Sequence, residues 1–140
     1  MSKVFLDTNF LVYLVDVRDP DKRAHTRILY RKLATERRAV VSTQVLQEFY
    51  VTIVNKIGVP PLEARHSMIG FERLDVVIIR PELIYEAIDT SILNRLSFWD
   101  GLIIAAAASA RCDILLTEDM GHGTVIRGVK IVNPFEYEEI

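Results

Sequence analysis

Short apolar runs rich in β-branched residues alternate along this chain with longer segments of helical spacing. The runs predict strands at Val4–Leu6, Ala39–Val41, Val76–Ile79, Ile114–Leu116 and Val129–Val132. Strands that alternate with helices favour a parallel sheet with helices on both faces, because each return crossover has room for a helix. The sequence therefore predicts an α/β fold.

The segments between these runs carry helix boundaries that agree with their apolar spacing. Asp19-Pro20 and Pro60-Pro61 are typical of helix starts, and Gly58 is typical of a helix end. Apolar residues at helical spacing are Ala24, Ile28 and Leu33 in one segment and Val45, Phe49 and Ile53 in another. The pattern predicts a helix in each segment.

Length and composition indicate one packed domain. The 140 residues have the usual size of a single domain, so one core is expected over residues 1–140. Half of the residues are hydrophobic, which excludes a disordered chain. The one cysteine, Cys112, allows no internal disulfide and suits a reducing cytoplasm.

No targeting or membrane-spanning segment is visible in the sequence. The N-terminus runs into Val4-Phe5-Leu6 without the apolar stretch of a signal peptide. The longest apolar run, from Leu102 to Ala108, is shorter than the roughly 20 residues that span a membrane. We therefore expect a soluble cytoplasmic protein. Its net charge of −2 lacks the basic excess of proteins that hold nucleic acid by electrostatics alone.

Most familiar catalytic motifs are absent, which leaves carboxylates as the candidate chemistry. The glycines form neither a dinucleotide-binding nor a phosphate-binding loop, and no histidine or cysteine pair has zinc-ligand spacing. In open α/β sheets, ligands bind beyond the carboxyl ends of the strands. Asp7 follows the first predicted strand, and Glu118 and Asp119 follow the fourth. Carboxylates at such positions suit Mg²⁺ or Mn²⁺.

Each candidate acid has an ordinary structural alternative. In Asp7-Thr8-Asn9, the aspartate could cap the next helix as well as bind a metal. In the helix that Ser42 or Thr43 begins, Glu48 shares a face with Gln44 near the apolar stripe and could simply reach solvent. Either role would be an adequate explanation of these residues on its own.

The remaining acids lie at a helix start and a strand end. Asp100 comes three residues after Ser97, at the start of a helix apolar almost all round, where the helix dipole favours a negative charge. Strand alternation places Thr117 and Asp119 on one face and Glu118 on the other, which leaves Glu118 as a rival of Asp119. Carboxylates brought together would raise one another's pKa, a cost that a divalent cation removes.

At these segments the chain resembles the PIN-domain family, and within it the VapC-type toxins of prokaryotic toxin–antitoxin pairs. The matching pieces are Phe5-Leu6-Asp7-Thr8-Asn9, the segment from Ser42 to Phe49, Ser97-Phe98-Trp99-Asp100-Gly101-Leu102-Ile103, the segment from Leu115 to Met120, and Val132-Asn133-Pro134-Phe135. They occur in family order over nearly the whole chain. One departure is Gly101, where alanine is common and glycine slightly weakens the helix.

The resemblance implies a single PIN-like domain, a three-layer α/β/α sandwich around a mostly parallel sheet of about five strands. It assigns catalytic and metal-binding roles to Asp7, Glu48, Asp100 and Asp119, which would hold one or two Mg²⁺ or Mn²⁺ ions. Thr8, Asn9 and Thr117 would support them. The implied reaction is hydrolysis of RNA phosphodiester bonds, and the implied partners are an antitoxin and a second copy of the chain.

Other interpretations stay open at this point. Arg23, Arg27 and Arg31 share a helix face that could contact RNA phosphates, although a solvated face is the ordinary interpretation. Trp99 could stack on a base, although core or dimer contact is more usual for such a residue. The alternative functions are another metal-dependent nuclease, for example one acting on DNA, and a non-catalytic RNA-binding or protein-binding module with this fold.

Overall fold

The computed structural model describes residues 2–136 and 140. Its strands are β1 (Lys3–Leu6), β2 (Ala39–Ser42), β3 (Asp75–Val77), β4 (Cys112–Leu116), β5 (Val125–Ile126) and β6 (Val129–Val132). Its helices are α1 (Thr8–Val12), α2 (Pro20–Thr35), α3 (Thr43–Thr52), α4 (Pro61–Ser67), α5 (Pro81–Asn94) and α6 (Phe98–Ser109). A π-helical turn (Ile53–Ile57) extends α3, and a 3₁₀ turn (Ile69–Arg73) follows α4.

The strands form one sheet in the order β3-β2-β1-β4-β6-β5. All neighbouring pairs are parallel except β5 and β6. The predicted α/β class with a mostly parallel sheet is confirmed, but the described sheet has six strands instead of about five. The additional strand, β5, has two residues and joins β6 through Arg127 (φ 52) and Gly128 (φ 78), a tight hairpin turn. A strand this short carries no recognisable alternation.

The predicted helix boundaries are confirmed. The Asp19 side chain caps α2, which begins at Pro20, and Gly58 ends the helical segment in a left-handed conformation with φ 87. Val45, Phe49 and Ile53 are all buried. In α2, by contrast, Ile28 is 72% exposed. The inward side of α2 follows the i, i+3, i+4, i+7 pattern of Thr26, Leu29, Tyr30 and Leu33.

Gly101 permits the close approach of α5 and α6. A Cβ atom at Gly101 would lie 2.6 Å from the carbonyl oxygen of Ala87 and 3.3 Å from Cβ of Ser91, both on α5. A backbone oxygen can move away only if its helix moves, so this contact would be unfavourable in energy. The glycine in the Ser97–Ile103 segment therefore serves helix packing, which the helix propensity of the segment does not reveal.

Substitution of Gly101 by alanine is expected to destabilise the protein. Alanine gains about 1 kcal/mol of helix propensity over glycine, but overpacking against backbone costs about 1–3 kcal/mol, so the net change should be a loss. Denaturant unfolding measures it. Gly70→Ala is the matched control, because a Cβ there meets nothing within 4 Å and φ is not left-handed. Equal or greater stability of Gly101→Ala would contradict the packing role.

In the part of the chain that the structure describes, no helix is both long enough and apolar enough to cross a membrane.

Candidate active site

The sheet order brings two candidate segments to the same edge. β1 and β4 are neighbours at the centre of the sheet, with Leu6 paired to Leu116. The backbone N–H of Asp7 donates to the carbonyl oxygen of Leu116 at 3.1 Å. Asp7 and the segment that begins at Thr117 therefore leave the carboxyl ends of adjacent strands side by side, as expected for a ligand site in an open α/β sheet.

A cavity of about 810 Å³ opens at this edge of the sheet. Its lining includes all four candidate acids, Asp7, Glu48, Asp100 and Asp119. The other lining residues are Thr8, Asn9, Val12, Tyr13, Asp16, Arg18, Gln44, Gln47, Val51, Thr52, Lys56, Trp99, Ile103 and Glu118. The volume is within the range of small-molecule and cofactor sites, so the acids surround a space large enough for a substrate.

Asp7 is the most deeply buried of the four acids, with only 6% of its surface exposed. Its Oδ1 accepts a hydrogen bond from the Thr8 N–H at 2.7 Å, so Asp7 does cap α1. Burial raises its pKa to about 6, hydrogen bonds from Thr117 and Thr8 oppose this, and the charges of Glu48 and Asp119 add to it. Asp7 therefore caps α1 and also has the raised pKa of a buried carboxylate near other negative charges, as a metal ligand would have without its metal.

Glu48 reaches the cavity from α3 and is half-buried. The hydroxyl of Thr8 donates to Glu48 Oε1 at 3.0 Å, which ties α3 to the start of α1. Its neighbours along the helix, Gln44 and Thr52, line the same cavity. The interpretation of Glu48 as a side chain that only reaches solvent does not account for this bond.

Asp100 lies in the first turn of α6, where Ser97 Oγ accepts a hydrogen bond from the Asp100 N–H at 3.1 Å. The predicted cap is therefore present. Burial is the main cause that raises the pKa of Asp100, and the charge of Asp119 raises it further. The charge of Asp119 thus acts on both Asp7 and Asp100.

Asn9 links the two strand ends through its side-chain amide. Its Nδ2 donates to Thr117 Oγ1 and to Asp119 Oδ2, both at 2.9 Å. Its Oδ1 accepts from the backbone N–H of Glu118 at 3.2 Å, which fixes the orientation of the amide. Asn9 therefore sets the position of the Asp119 carboxylate.

Glu118 is occupied by other partners. Tyr13 donates its hydroxyl to Glu118 Oε1 at 2.5 Å, and the Lys22 ammonium forms a salt bridge with Oε2. Lys22 also lies over the rings of Tyr13 and Phe135, at 5.2 and 4.8 Å from their centroids. The charge of Glu118 is thus neutralised in place. Among the described residues Asp119 has no such cation.

The donor set fits a hard divalent cation in chemistry and charge. The charges of Glu48 and Asp119 raise the pKa of Asp7, and that of Asp119 raises the pKa of Asp100, a repulsion that a cation would remove. Gln44, which is 4% exposed and lines the cavity, has an Oε1 with no hydrogen-bond partner among the described residues. Within residues 2–136 and 140, however, no group of three or more acidic, histidine or cysteine side chains is arranged as a ready metal cage. Glu48 and Asp119 are held instead by hydrogen bonds from α1.

The cations expected from the sequence lie elsewhere. Neither Arg23 nor Arg27 lines the cavity, and Arg27 Nε donates to the carbonyl oxygen of Leu14 at 3.0 Å. RNA contact by these two residues stays a prediction. The cavity is lined instead by Arg18 and Lys56, which belong to no recognisable motif. Only the helical spacing from Glu48 could have pointed to Gln44 and Thr52.

Trp99 lies at the cavity and not in the core. It is 60% exposed, and its ring meets that of Phe98 edge-on with centroids 5.0 Å apart. The side chain is therefore accessible to a substrate, beside Asp100.

Comparison with known proteins identifies one matching family model and several solved structures of similar fold. A family model described as PIN domain matches residues 4–125. The VapC20 toxin of Mycobacterium tuberculosis, which cleaves the sarcin–ricin loop, is 18% identical with a TM-score of 0.62, over 81% of this chain and 87% of its own. A toxin–antitoxin complex from Klebsiella pneumoniae is 20% identical with a TM-score of 0.67, over 99% and 100% of the two chains.

A third similar structure is the DNA-bound VapBC of Salmonella typhimurium, which is 20% identical with a TM-score of 0.68, over 94% of this chain and 97% of the other. No curated protein sequence matches this chain significantly. At such identities the structural likeness establishes the fold alone.

Proposed function

Because the chain belongs to the PIN-domain family, we propose that it is a metal-dependent endoribonuclease and the toxin of a VapBC-type toxin–antitoxin pair. Asp7, Glu48, Asp100 and Asp119 are the proposed catalytic acids. One observation carries the proposal: these carboxylates line one cavity, where Glu48 and Asp119 raise the pKa of Asp7 and Asp119 raises that of Asp100. A chain with no use for a cation would gain stability by losing this repulsion.

The four acids would hold Mg²⁺ or Mn²⁺, as one or two ions. A bound ion of this kind lowers the pKa of a water and neutralises charge that develops on the phosphate. The remaining steps belong to the protein. Thr8 holds Oε1 of Glu48 and so fixes the orientation of this carboxylate, and Glu48 or Asp119 would help to orient the attacking water. Asn9 and Thr117 hold the Asp119 carboxylate and the start of its loop in place. The products would carry 5′-phosphate and 3′-hydroxyl ends.

The proposed partners are an antitoxin and a second copy of this chain, in the cytoplasm. The similar proteins from Klebsiella pneumoniae and Salmonella typhimurium, which are a toxin–antitoxin complex and a VapBC pair, support the antitoxin. Size-exclusion chromatography of the purified chain, alone and co-expressed with a candidate antitoxin, tests both partners. A chain that stays monomeric and binds no antitoxin would contradict this part of the proposal.

The direct test of the activity is RNA cleavage by the purified protein in Mg²⁺, in Mn²⁺ and in excess chelator. Cleavage that requires the metal supports the proposal, and equal cleavage in chelator contradicts it. Single-stranded DNA of the same sequence, tested in parallel, separates a ribonuclease from a deoxyribonuclease. Absence of cleavage of both polymers under all conditions would favour the non-catalytic module.

Glu118 and Asp119 are expected to respond differently to loss of charge. Asp119→Asn should lower RNA cleavage by about 10²-fold, because a lost ligand removes several kcal/mol of charge stabilisation. Glu118→Gln should retain cleavage within about threefold, because its charge is already balanced by Lys22. Steady-state cleavage assays on the two variants measure this. The reverse order of effects would make Glu118 the ligand.

A further inference from the structure

We propose that Arg18 and Lys56 form a phosphate-binding subsite in the cavity, which holds a backbone phosphate of the bound RNA other than the scissile one. This inference rests on the proposed function, since it assigns where the same substrate is held. Arg18 and Lys56 are the cationic residues in the cavity lining. Four carboxylates repel a polyanion, so a strand needs an attractive contact in the same cavity.

A buried carboxylate fixes the guanidinium of Arg18. Asp16, which is 6% exposed, accepts Arg18 Nε on Oδ1 at 2.9 Å and Nη2 on Oδ2 at 2.8 Å. The backbone N–H of Arg18 adds a bond of 3.0 Å to Oδ1. Two parallel bonds fix the plane of a guanidinium. Nη1 has no hydrogen-bond partner in the described part of the chain.

The accessible part of Arg18 is therefore pre-oriented. Its side chain is 57% exposed although its anchoring carboxylate is buried. A side chain held in advance loses little conformational entropy when it binds a ligand. The free N–H groups match the oxygen geometry of a phosphate, which guanidinium groups bind well.

Lys56 reaches the cavity from the π-helical turn that extends α3. Such turns interrupt the regular helix register and are frequent at functional sites. Lys56 is exposed and forms no hydrogen bond or salt bridge with any described residue. Lys56 lines the same cavity as the Asp16–Arg18 pair, and its charge contributes to the lowered pKa of Asp16. The two cations thus act on one region of the cavity.

The acidic and basic regions are separated by more than the spacing of adjacent phosphates in a strand, so they suit two phosphates that are not direct neighbours. Glu48 and Lys56 lie on the same helical segment, two turns apart, which corresponds to about 12 Å at 1.5 Å per residue. The carboxylates therefore serve the reacting phosphate, and Arg18 with Lys56 serves another phosphate of the same strand. The separation of the acidic region from the basic region would let the cavity bind an RNA strand in only one register.

The test measures binding and not cleavage. A fluorescein-labelled single-stranded RNA of about 15 nucleotides, long enough to fill a single-strand site, is titrated with the Asp100→Asn protein in Mg²⁺ at several salt concentrations. Fluorescence anisotropy gives the affinity. Adding Arg18→Gln or Lys56→Gln should each weaken binding about three- to tenfold and lower the salt slope by about 0.7, the value for one phosphate of a single strand.

Matched controls isolate the subsite. Arg73→Gln removes the same charge from an exposed position of the 3₁₀ turn outside the cavity and should leave both quantities nearly unchanged. Lys56 forms no hydrogen bond or salt bridge with any residue that the structure describes, so its variant remains informative if Arg18→Gln unfolds. Arg18→Lys should keep the salt slope while recovering only part of the affinity.

The outcomes separate this proposal from the proposed function. If the parent chain cleaves no RNA but these substitutions weaken RNA binding as expected, the subsite stands and the ribonuclease assignment fails. Unchanged RNA affinity in both variants, or no RNA binding by the Asp100→Asn protein at low salt, overturns the subsite. It is also overturned if the variants bind RNA normally and lose affinity only for a polyglutamate peptide, because the two cations would then recognise an acidic peptide.

Discussion

Replacement of Asp7 by asparagine is expected to lower RNA cleavage in Mg²⁺ by about 10²–10³-fold, since metal-ion charge stabilisation amounts to several kcal/mol and each 1.36 kcal/mol is a factor of ten. The substitution preserves size and keeps an oxygen to accept the Thr8 N–H. It removes the charge at the most buried acid of the cavity. Asp100→Asn should give a loss of similar size, because Asp100 lines the same cavity and the charge of Asp119 raises its pKa.

The measurement is single-turnover cleavage of one labelled RNA at saturating Mg²⁺. Asp113→Asn is the matched control, because Asp113 is an exposed acid of β4 outside the cavity lining. Its activity should equal that of the parent chain. Full activity in both Asp7→Asn and Asp100→Asn would refute the proposed metal mechanism.

Much of the fold was predictable because its signals are local. Strand runs, the Asp19 cap of α2 and the Gly58 helix end each depend on a few consecutive residues. What escaped prediction depends on tertiary contact. β5 exists only because a two-residue turn lays it against β6, and Gly101 is required only because Ala87 of another helix approaches it.

In the candidate site, too, some residues follow from local sequence signals and others depend on tertiary contacts. Asp7 and Asp100 stood out in the sequence as acids at a strand end and a helix start, and in the structure Asp7 caps α1 while Asp100 lies in the first turn of α6 behind its Ser97 cap. The contact of Glu48 with Thr8 joins residues far apart in the chain. The competition between Glu118 and Asp119 could not be resolved from strand alternation, because Tyr13 and Lys22 of other elements occupy Glu118.

The second large effect is on stability: Asp7→Asn, which should lower activity, is expected to raise the stability of the metal-free protein. In chelator at pH 8, Asp7→Asn is expected to raise the free energy of unfolding by up to about 3 kcal/mol. The ordinary aspartate pKa is 3.8, and burial with nearby charge raises that of Asp7 to about 6 in the folded protein. A difference of this size corresponds to about 3 kcal/mol of repulsion and desolvation, which the neutral asparagine avoids.

The pH dependence follows from the same difference. Between roughly pH 4 and 6 the folded chain binds more protons at Asp7 than the unfolded chain does, so stability falls as pH rises through this window and levels off above it. In Asp7→Asn, the decrease in the free energy of unfolding with rising pH should be much smaller. The part that remains is the contribution of Asp100, whose pKa is also raised. Asp113→Asn should retain the full decrease. Urea unfolding at several pH values in chelator measures these slopes.

Magnesium should reverse the ranking of the two proteins. A ligand that binds only the folded state stabilises it by RT ln(1 + [L]/Kd), so added Mg²⁺ should stabilise the parent chain and leave Asp7→Asn nearly unchanged. A variant that is more stable in chelator, unresponsive to Mg²⁺ and inactive cannot owe its inactivity to misfolding. Asp7→Asn could instead prove less stable than the parent at pH 8 in chelator. The Asp7 carboxylate would then stabilise the fold mainly as the cap of α1, and its charge would give no support for a cation site.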